Sequence, residues 1–119
     1  MMLLQDAKAL EDQIVTWRRQ LHQIPEVGIH LPKTREALCS ILDSMGASYR
    51  LHRGSSGIEV LIQGGPGGVV ALRADMDALP LREETGLPFA SQNGCMHACG
   101  HDGHMAMLLG AVALLQARR

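Results

Sequence analysis

The stretch Val69-Val70-Ala71-Leu72-Arg73-Ala74-Asp75-Met76-Asp77 decides how this chain is read. Its first four residues are apolar without alternation, the pattern of a strand covered on both faces. Two carboxylates spaced two residues apart then follow, which places them at the strand's carboxyl end. Open α/β sheets hold their sites there. A local alternative exists for each acid alone: an Asp in a turn hydrogen-bonds its own backbone. The stretch predicts an α/β fold with chemistry at Asp75 and Asp77.

Working outward, residues 48–52 and 57–63 are further β-prone runs, set off by Gly and Ser clusters. The turn Gly64-Gly65-Pro66-Gly67-Gly68 lacks the Lys-Ser/Thr of a phosphate-binding loop, and no helical pattern follows it. Upstream, Leu10, Ile14, Trp17 and Leu21 form one face of an amphipathic helix expected over about 3–22, ended by Ile24-Pro25. A second helix is expected from Pro32, which suits a first turn, to Met45, with Gly46 as a left-handed stop. Downstream, 75–100 is irregular, and loops of that length in compact domains tend to carry function. The last element, about 102–116, is helical and apolar nearly all round, so it requires cover on most sides. Two helices, three strands and a buried helix read as the opening of a larger α/β domain.

Composition narrows the partners. Of the 119 residues 46% are apolar and 19% charged, which fits a globular domain and not a disordered chain. The net charge of −1 comes without a basic block, so nucleic acid and anionic membrane surfaces are excluded as partners. Trp17, Tyr49 and Phe89 are the whole aromatic complement, too few for a base-stacking platform. The start shows no secretory pattern, and the apolar run 105–115 is too short to span a bilayer. Cys39, Cys95 and Cys99 make an odd set without a disulfide framework, so a reducing cytoplasm is expected. Cys39 reads as a small buried hydrophobe.

The chemistry is densest at His97-Ala98-Cys99-Gly100-His101-Asp102-Gly103-His104. Cys99 and His101 are two apart, so in an extended segment their side chains share a side. Gly100 between them allows the backbone to bend close to an ion. Thiolate and imidazole suit zinc and other borderline metals. Asp102 either orients a ligating imidazole or caps the helix that follows. His104 falls on the Leu108, Ala111, Leu115 stripe and His97 has no assigned side; each alone would read as a core histidine.

These residues carry a resemblance. The run 97–104, preceded by Gly94-Cys95-Met96 and followed by Ala106-Met107-Leu108-Leu109-Gly110-Ala111, resembles the signature of the metal-dependent N-acyl-amino-acid amidohydrolases, which include hippurate hydrolases, indole-acetyl-amino-acid hydrolases and N-acetyldiaminopimelate deacetylases. Arg73–Pro80, Glu83–Ser91 and Trp17–Glu26 match in order and spacing, so the likeness runs from Ile14 onward. One departure follows Pro25-Glu26, where the family usually shows further acids and this chain has His30 and Leu31.

The resemblance implies the amino-terminal part of a zinc-peptidase-like (phosphorylase/hydrolase-like) three-layer α/β/α catalytic domain, filling residues 1–119, truncated, with the dimerisation or lid domain absent. It implies two divalent ions (Zn, Mn or Co), a small-molecule N-acyl amino acid as substrate, and homo-oligomers at full length. Cys99 and His101 are then metal ligands. Asp77 and Asp102 are the catalytic-site candidates, Asp77 at a position that orients a neighbouring ligand. Asp75 lies where relatives often have a metal-binding histidine, and His22 and Glu26 belong to the amino-terminal motif without an assigned chemical role. The general-base glutamate comes from a Glu-Glu pair beyond the Cys-Gly-His motif; Glu83-Glu84 precedes that motif and is not this pair. The chain is therefore expected to be a fragment with about half the ligands and little activity alone. The competing class is a small structural zinc module using Cys95, Cys99, His97, His101 and His104. A redox pair at Cys95 and Cys99 is weaker, because the spacing is not that of a Cys-X-X-Cys motif.

Overall fold

A break at Leu10 divides the first predicted helix in two. The structure, a computed structural model, describes residues 2–119. Its elements are α1 (Leu3–Ala9), α2 (Glu11–His22), α3 (Pro32–Ser44), β1 (Tyr49–Leu51), β2 (Ile58–Val60) and α4 (His101–Gln116). At Leu10 the backbone leaves helical torsions and its amide bonds to the Ala7 carbonyl at 3.0 Å, a tightened last turn. The stripe that begins at Ile14 continues through Trp17 and Leu21 into the core, whereas α1 buries nothing.

The core is built where three helices meet. Trp17 and Leu21 of α2, Leu38, Ile41 and Leu42 of α3, and Met105, Ala106, Leu109 and Val112 of α4 form one cluster. Leu21 and Ala106 are fully enclosed. Burying one such leucine contributes about 1.5–3 kcal/mol. Gly110 sets the approach of α2 to α4: a Cβ there would stand 2.8 Å from Ile14 Cδ1.

Both ends of α3 have identifiable causes. Its cap residue Leu31 offers no side chain to the free amides, and Glu26 supplies the acceptor from outside the helix. The Glu26 carboxylate accepts from the Thr34 amide at 2.7 Å, the Thr34 hydroxyl at 2.8 Å and the Lys33 amide at 3.2 Å. Glu26, without a role at the level of sequence, thus acts as a helix cap. Glu26→Ala is expected to lower stability by about 1 kcal/mol, and roughly 2 at most, seen as a lower urea midpoint with early loss of amide protection at Lys33 and Thr34. At the other end Gly46 adopts φ 67°, and the bonds Ala47 N–H to Leu42 O and Gly46 N–H to Asp43 O close a Schellman turn.

β1 and β2 pair antiparallel, with Tyr49 opposite Val60 and Leu51 opposite Ile58. Tyr49, Ile58 and Val60 lean on the helical core. Alternation sends Arg50 and Glu59 to the outer face, where they form an exposed ion pair at 2.9 Å.

The predicted third strand is not formed. Residues 69–74 have no ladder partner, and Val69 and Val70 are 91% and 86% exposed instead of covered on both faces. A strand exists only through hydrogen bonds to a neighbour, and among the described residues the only paired strands are β1 and β2. The α/β class holds, but the layers here are helices against a two-stranded ribbon. The last helix also differs from expectation: one face is buried, while Met107 and Leu115 are 57% and 46% exposed.

The irregular stretch 75–100 is pinned at separate points. Leu79 and Met96 exchange both backbone hydrogen bonds, at 2.9 and 3.0 Å. The Ala78 amide donates to the Glu26 carbonyl, and the Asn93 side chain donates to the Pro25 carbonyl, each at 2.8 Å. The Pro25–Glu26 corner therefore anchors both limbs of the long loop that leads into α4.

Candidate functional site

Gly100 makes the turn from the loop into α4. It sits at the helix N-cap with φ 90°, a left-handed conformation that favours glycine, and it delivers His101 and Asp102 into the first helical turn. The two neighbours face different partners.

His101 turns toward the acids that follow residues 69–74. Its Nδ1 lies 2.8 Å from the Asp77 carbonyl oxygen and 3.1 Å from Asp77 Oδ1. A carbonyl only accepts, so Nδ1 carries the proton and Nε2 keeps a lone pair free for a ligand when the ring is neutral. Nε2 is 3.8 Å from Asp75 Oδ2. Asp75 is in turn gripped by Arg73 at 2.7 Å; those guanidinium hydrogen bonds, helped by its charge, hold the Asp75 carboxyl below the usual range. His101, Asp75 and Asp77 thus converge.

The other sequence candidates are dispersed. Cys99 is exposed, and Cys95 and Cys39 are half-buried. His104 is exposed on the outer side of α4, with its ring 5.9 Å from that of His101, so it is not a core histidine. His97 is buried, and neither ring nitrogen has a hydrogen-bond partner. Burial pushes its pKa down, against an opposing pull from the Asp102 charge. Among the described residues no three His, Cys, Asp or Glu side chains stand close enough to share an ion. Among the described residues, the five candidates for a closed tetrahedral zinc site, Cys95, Cys99, His97, His101 and His104, are therefore not gathered around one point.

Asp102 neither caps α4 nor touches the His101 ring. Its Oδ2 accepts from His22 Nδ1 at 2.7 Å and from Arg18 Nε at 2.7 Å, while Oδ1 has no partner. The helical position makes the reason plain: Asp102 faces α2 with Met105 and Ala106, in the buried stripe. The opposite nitrogen of His22, Nε2, meets Glu83 Oε1 at 2.8 Å and Oε2 at 3.0 Å. Glu83 also accepts from the Thr85 hydroxyl at 2.5 Å and from the Ser91 amide at 2.8 Å. Phe89 sets its ring edge-on to His22, 5.6 Å between centroids, with Arg18 and Arg19 over its face.

This buried chain of Arg18, Asp102, His22 and Glu83 was not evident from the sequence, although one signal was present. Arg18 and His22 are four apart on α2, directly beside the Trp17 and Leu21 pair, so they share a helix face. Nothing local marks Glu83 as their partner.

Burial alone would raise the Glu83 pKa, but the hydrogen bonds from Thr85, Ser91 and His22 outweigh it and hold the carboxyl at about 2. The folded value is below the unfolded one. The stabilisation is thus complete above about pH 4.5 and is lost as pH falls toward 2. Acid titrations followed by Trp17 fluorescence should show a decline in that window for the native chain and a flatter profile for Glu83→Gln.

The chain is similar to known proteins over nearly its whole length. The model of peptidase family M20/M25/M40 matches residues 71–119. An N-acyl-L-amino acid amidohydrolase of Geobacillus stearothermophilus is 46% identical over 99% of this chain and 34% of its own length. An aminohydrolase from methicillin-resistant Staphylococcus aureus superposes with a TM-score of 0.91 at 42% identity, over 98% of this chain and 30% of that one. The YXEP protein of Bacillus subtilis, a dinuclear metal-binding peptidase of the M20 family, gives a TM-score of 0.88 at 39% identity, over 94% and 32%. The chain spans about a third of the length of these relatives. In fold and in its His101 segment the chain is similar to members of peptidase family M20/M25/M40, whose model matches its residues 71–119.

Proposed function

We propose that this chain contributes Cys99 and His101 as ligands to a two-metal site that hydrolyses the amide bond of N-acyl amino acids. The observation that carries the proposal is the Nδ1–H of His101 donated to the Asp77 carbonyl, which leaves Nε2 free beside Asp75. An imidazole held in that tautomer is prepared to ligate. The donor set fits part of a metal centre: a thiolate, an imidazole and a nearby carboxylate suit zinc, manganese or cobalt.

Divalent metal supplies Lewis acidity toward the amide carbonyl and toward water. The residues of this chain do the positioning. Asp77 fixes the His101 ring through its backbone and side-chain oxygens, Asp75 adds negative charge beside Nε2, and Asp102 holds the first turn of α4 against α2. The general base and the remaining ligands are to be found outside these 119 residues, so the chain supplies part of one catalytic domain, with dimerisation carried elsewhere. Free thiols fit a cytoplasmic setting. Among the described residues no helix is long and apolar enough to cross a membrane.

Cobalt titration tests the proposal. Co²⁺ should produce a near-ultraviolet thiolate-to-metal absorption that Cys99→Ser removes, with only weak affinity in the 119-residue chain. A metal-independent spectrum would sink the ligand assignment. Hippurate hydrolysis by this chain alone at an ordinary enzyme rate would show that it holds a complete site.

A further inference from the structure

We propose that His22, held as an imidazolium between Asp102 and Glu83, is the positioning residue for the metal-binding end of α4. The inference rests on the reading of His101 as a ligand only for its functional meaning; the clamp itself stands on geometry. Ionised carboxylates accept hydrogen bonds and do not donate them. Glu83 already accepts from Thr85 and Ser91, and Asp102 from Arg18. Carboxylate oxygens at 2.7 Å from Nδ1 and 2.8 Å from Nε2 therefore require a proton on both ring nitrogens.

Charge count leads to the same state. With His22 protonated, Arg18, His22, Asp102 and Glu83 sum to zero. With His22 neutral, the cluster keeps an excess negative charge and aims a lone pair at a carboxylate. The His22, Asp102 and Glu83 side chains are 2%, 1% and 0% exposed, so water screens that mismatch poorly. His97, which also lies near Asp102 and His22, is buried and makes no hydrogen bond through either ring nitrogen, so it is not linked into the cluster.

The clamp reaches His101 through one peptide bond. The first turn of α4 has no side-chain cap. It is instead held by His101 on the Asp77 side and by Asp102 on the α2 side. Without His22, Asp102 retains only Arg18, whose side chain is 38% exposed. The first turn then loses its buried anchor, and the His101 ring loses its fixed distance to Asp77.

Ring-nitrogen NMR of the 119-residue chain at neutral pH decides the matter. The expected result is two slowly exchanging ring N–H protons on His22, assigned by their loss in His22→Gln. A single ring proton on His22 overturns the clamp. For the positioning role, His22→Gln supplies one donor and one acceptor, so one link must fail; exchange of the His101 Nδ1 proton should rise about tenfold while α3 amides change by less than roughly twofold. The double variant His22→Gln/Glu83→Gln can restore an amide chain of donors and acceptors, and should return the His101 exchange toward the native rate. Unchanged His101 exchange, or uniform acceleration across the chain, overturns the positioning role. If His22→Gln does not fold, Glu83→Gln reports the same His101 proton. Zinc added to the native chain separates the two ideas: an unmoved His101 signal counts against the metal reading, while the His22 ring protons still decide the clamp.

Discussion

Asp102→Ala is expected to remove about 3–5 kcal/mol of folding stability, because it breaks a buried, hydrogen-bonded charge pair and empties the space its side chain fills. His22 would be left with Glu83 as its one carboxylate partner, and Arg18 would lose its acceptor. A domain of this size has roughly 5–15 kcal/mol in total, so the variant should approach unfolding at room temperature in a urea titration. The comparison that isolates burial is Glu59→Ala. That substitution breaks the Arg50–Glu59 pair, whose side chains are 78% and 63% exposed. Its cost should stay below about 1 kcal/mol. Equal losses in the two variants would show that the buried chain has no special weight.

The second large effect concerns metal and leaves the fold alone. His101→Ala is expected to lower cobalt or zinc affinity by at least about 100-fold, since removing a supporting residue alone typically costs 10–100-fold. The side chain is 20% exposed and lies outside the apolar core, so the urea midpoint should move little. Asp77→Asn should fall between native and His101→Ala. The substitution keeps the backbone carbonyl that orients Nδ1 and weakens only the 3.1 Å side-chain contact. A His101→Ala chain that binds cobalt as well as the native one would remove His101 from the ligand set.

The features legible in the sequence are those with local causes. The Ile14, Trp17, Leu21 stripe gave α2, Pro32 and Gly46 bracketed α3, and the irregular loop with its helix after Gly100 stands as expected. The break at Leu10 escaped because the apolar spacing continues through it, while the backbone departs from helical torsions at one residue only. Residues 69–74 failed for a different reason: their composition is that of a strand, but strand structure depends on a neighbour that composition does not reveal. At the site, the density of His, Cys and Asp drew attention to residues 97–104, where the structure sets His101 beside Asp75 and Asp77. The partners of Asp102 were invisible there. They come from α2 and from Glu83, and only the tertiary fold brings these segments to one point. Glu26 was hidden similarly, since a cap supplied from outside the helix has no fixed spacing to announce it.

The separation of those partners along the chain bears on the order of folding. His22 lies 80 residues from Asp102 and 61 from Glu83. Loop-closure entropy grows so slowly with length that the two closures differ by only about 0.2 kcal/mol. Neither link is favoured to form first, and neither precedes the local helices, whose contacts close within a turn. During synthesis α2 emerges with Arg18 and His22 unmatched, and they remain so until both the Glu83 loop and the start of α4 have been made. The geometry around His101 is therefore a late product of folding, completed only when distant segments arrive together.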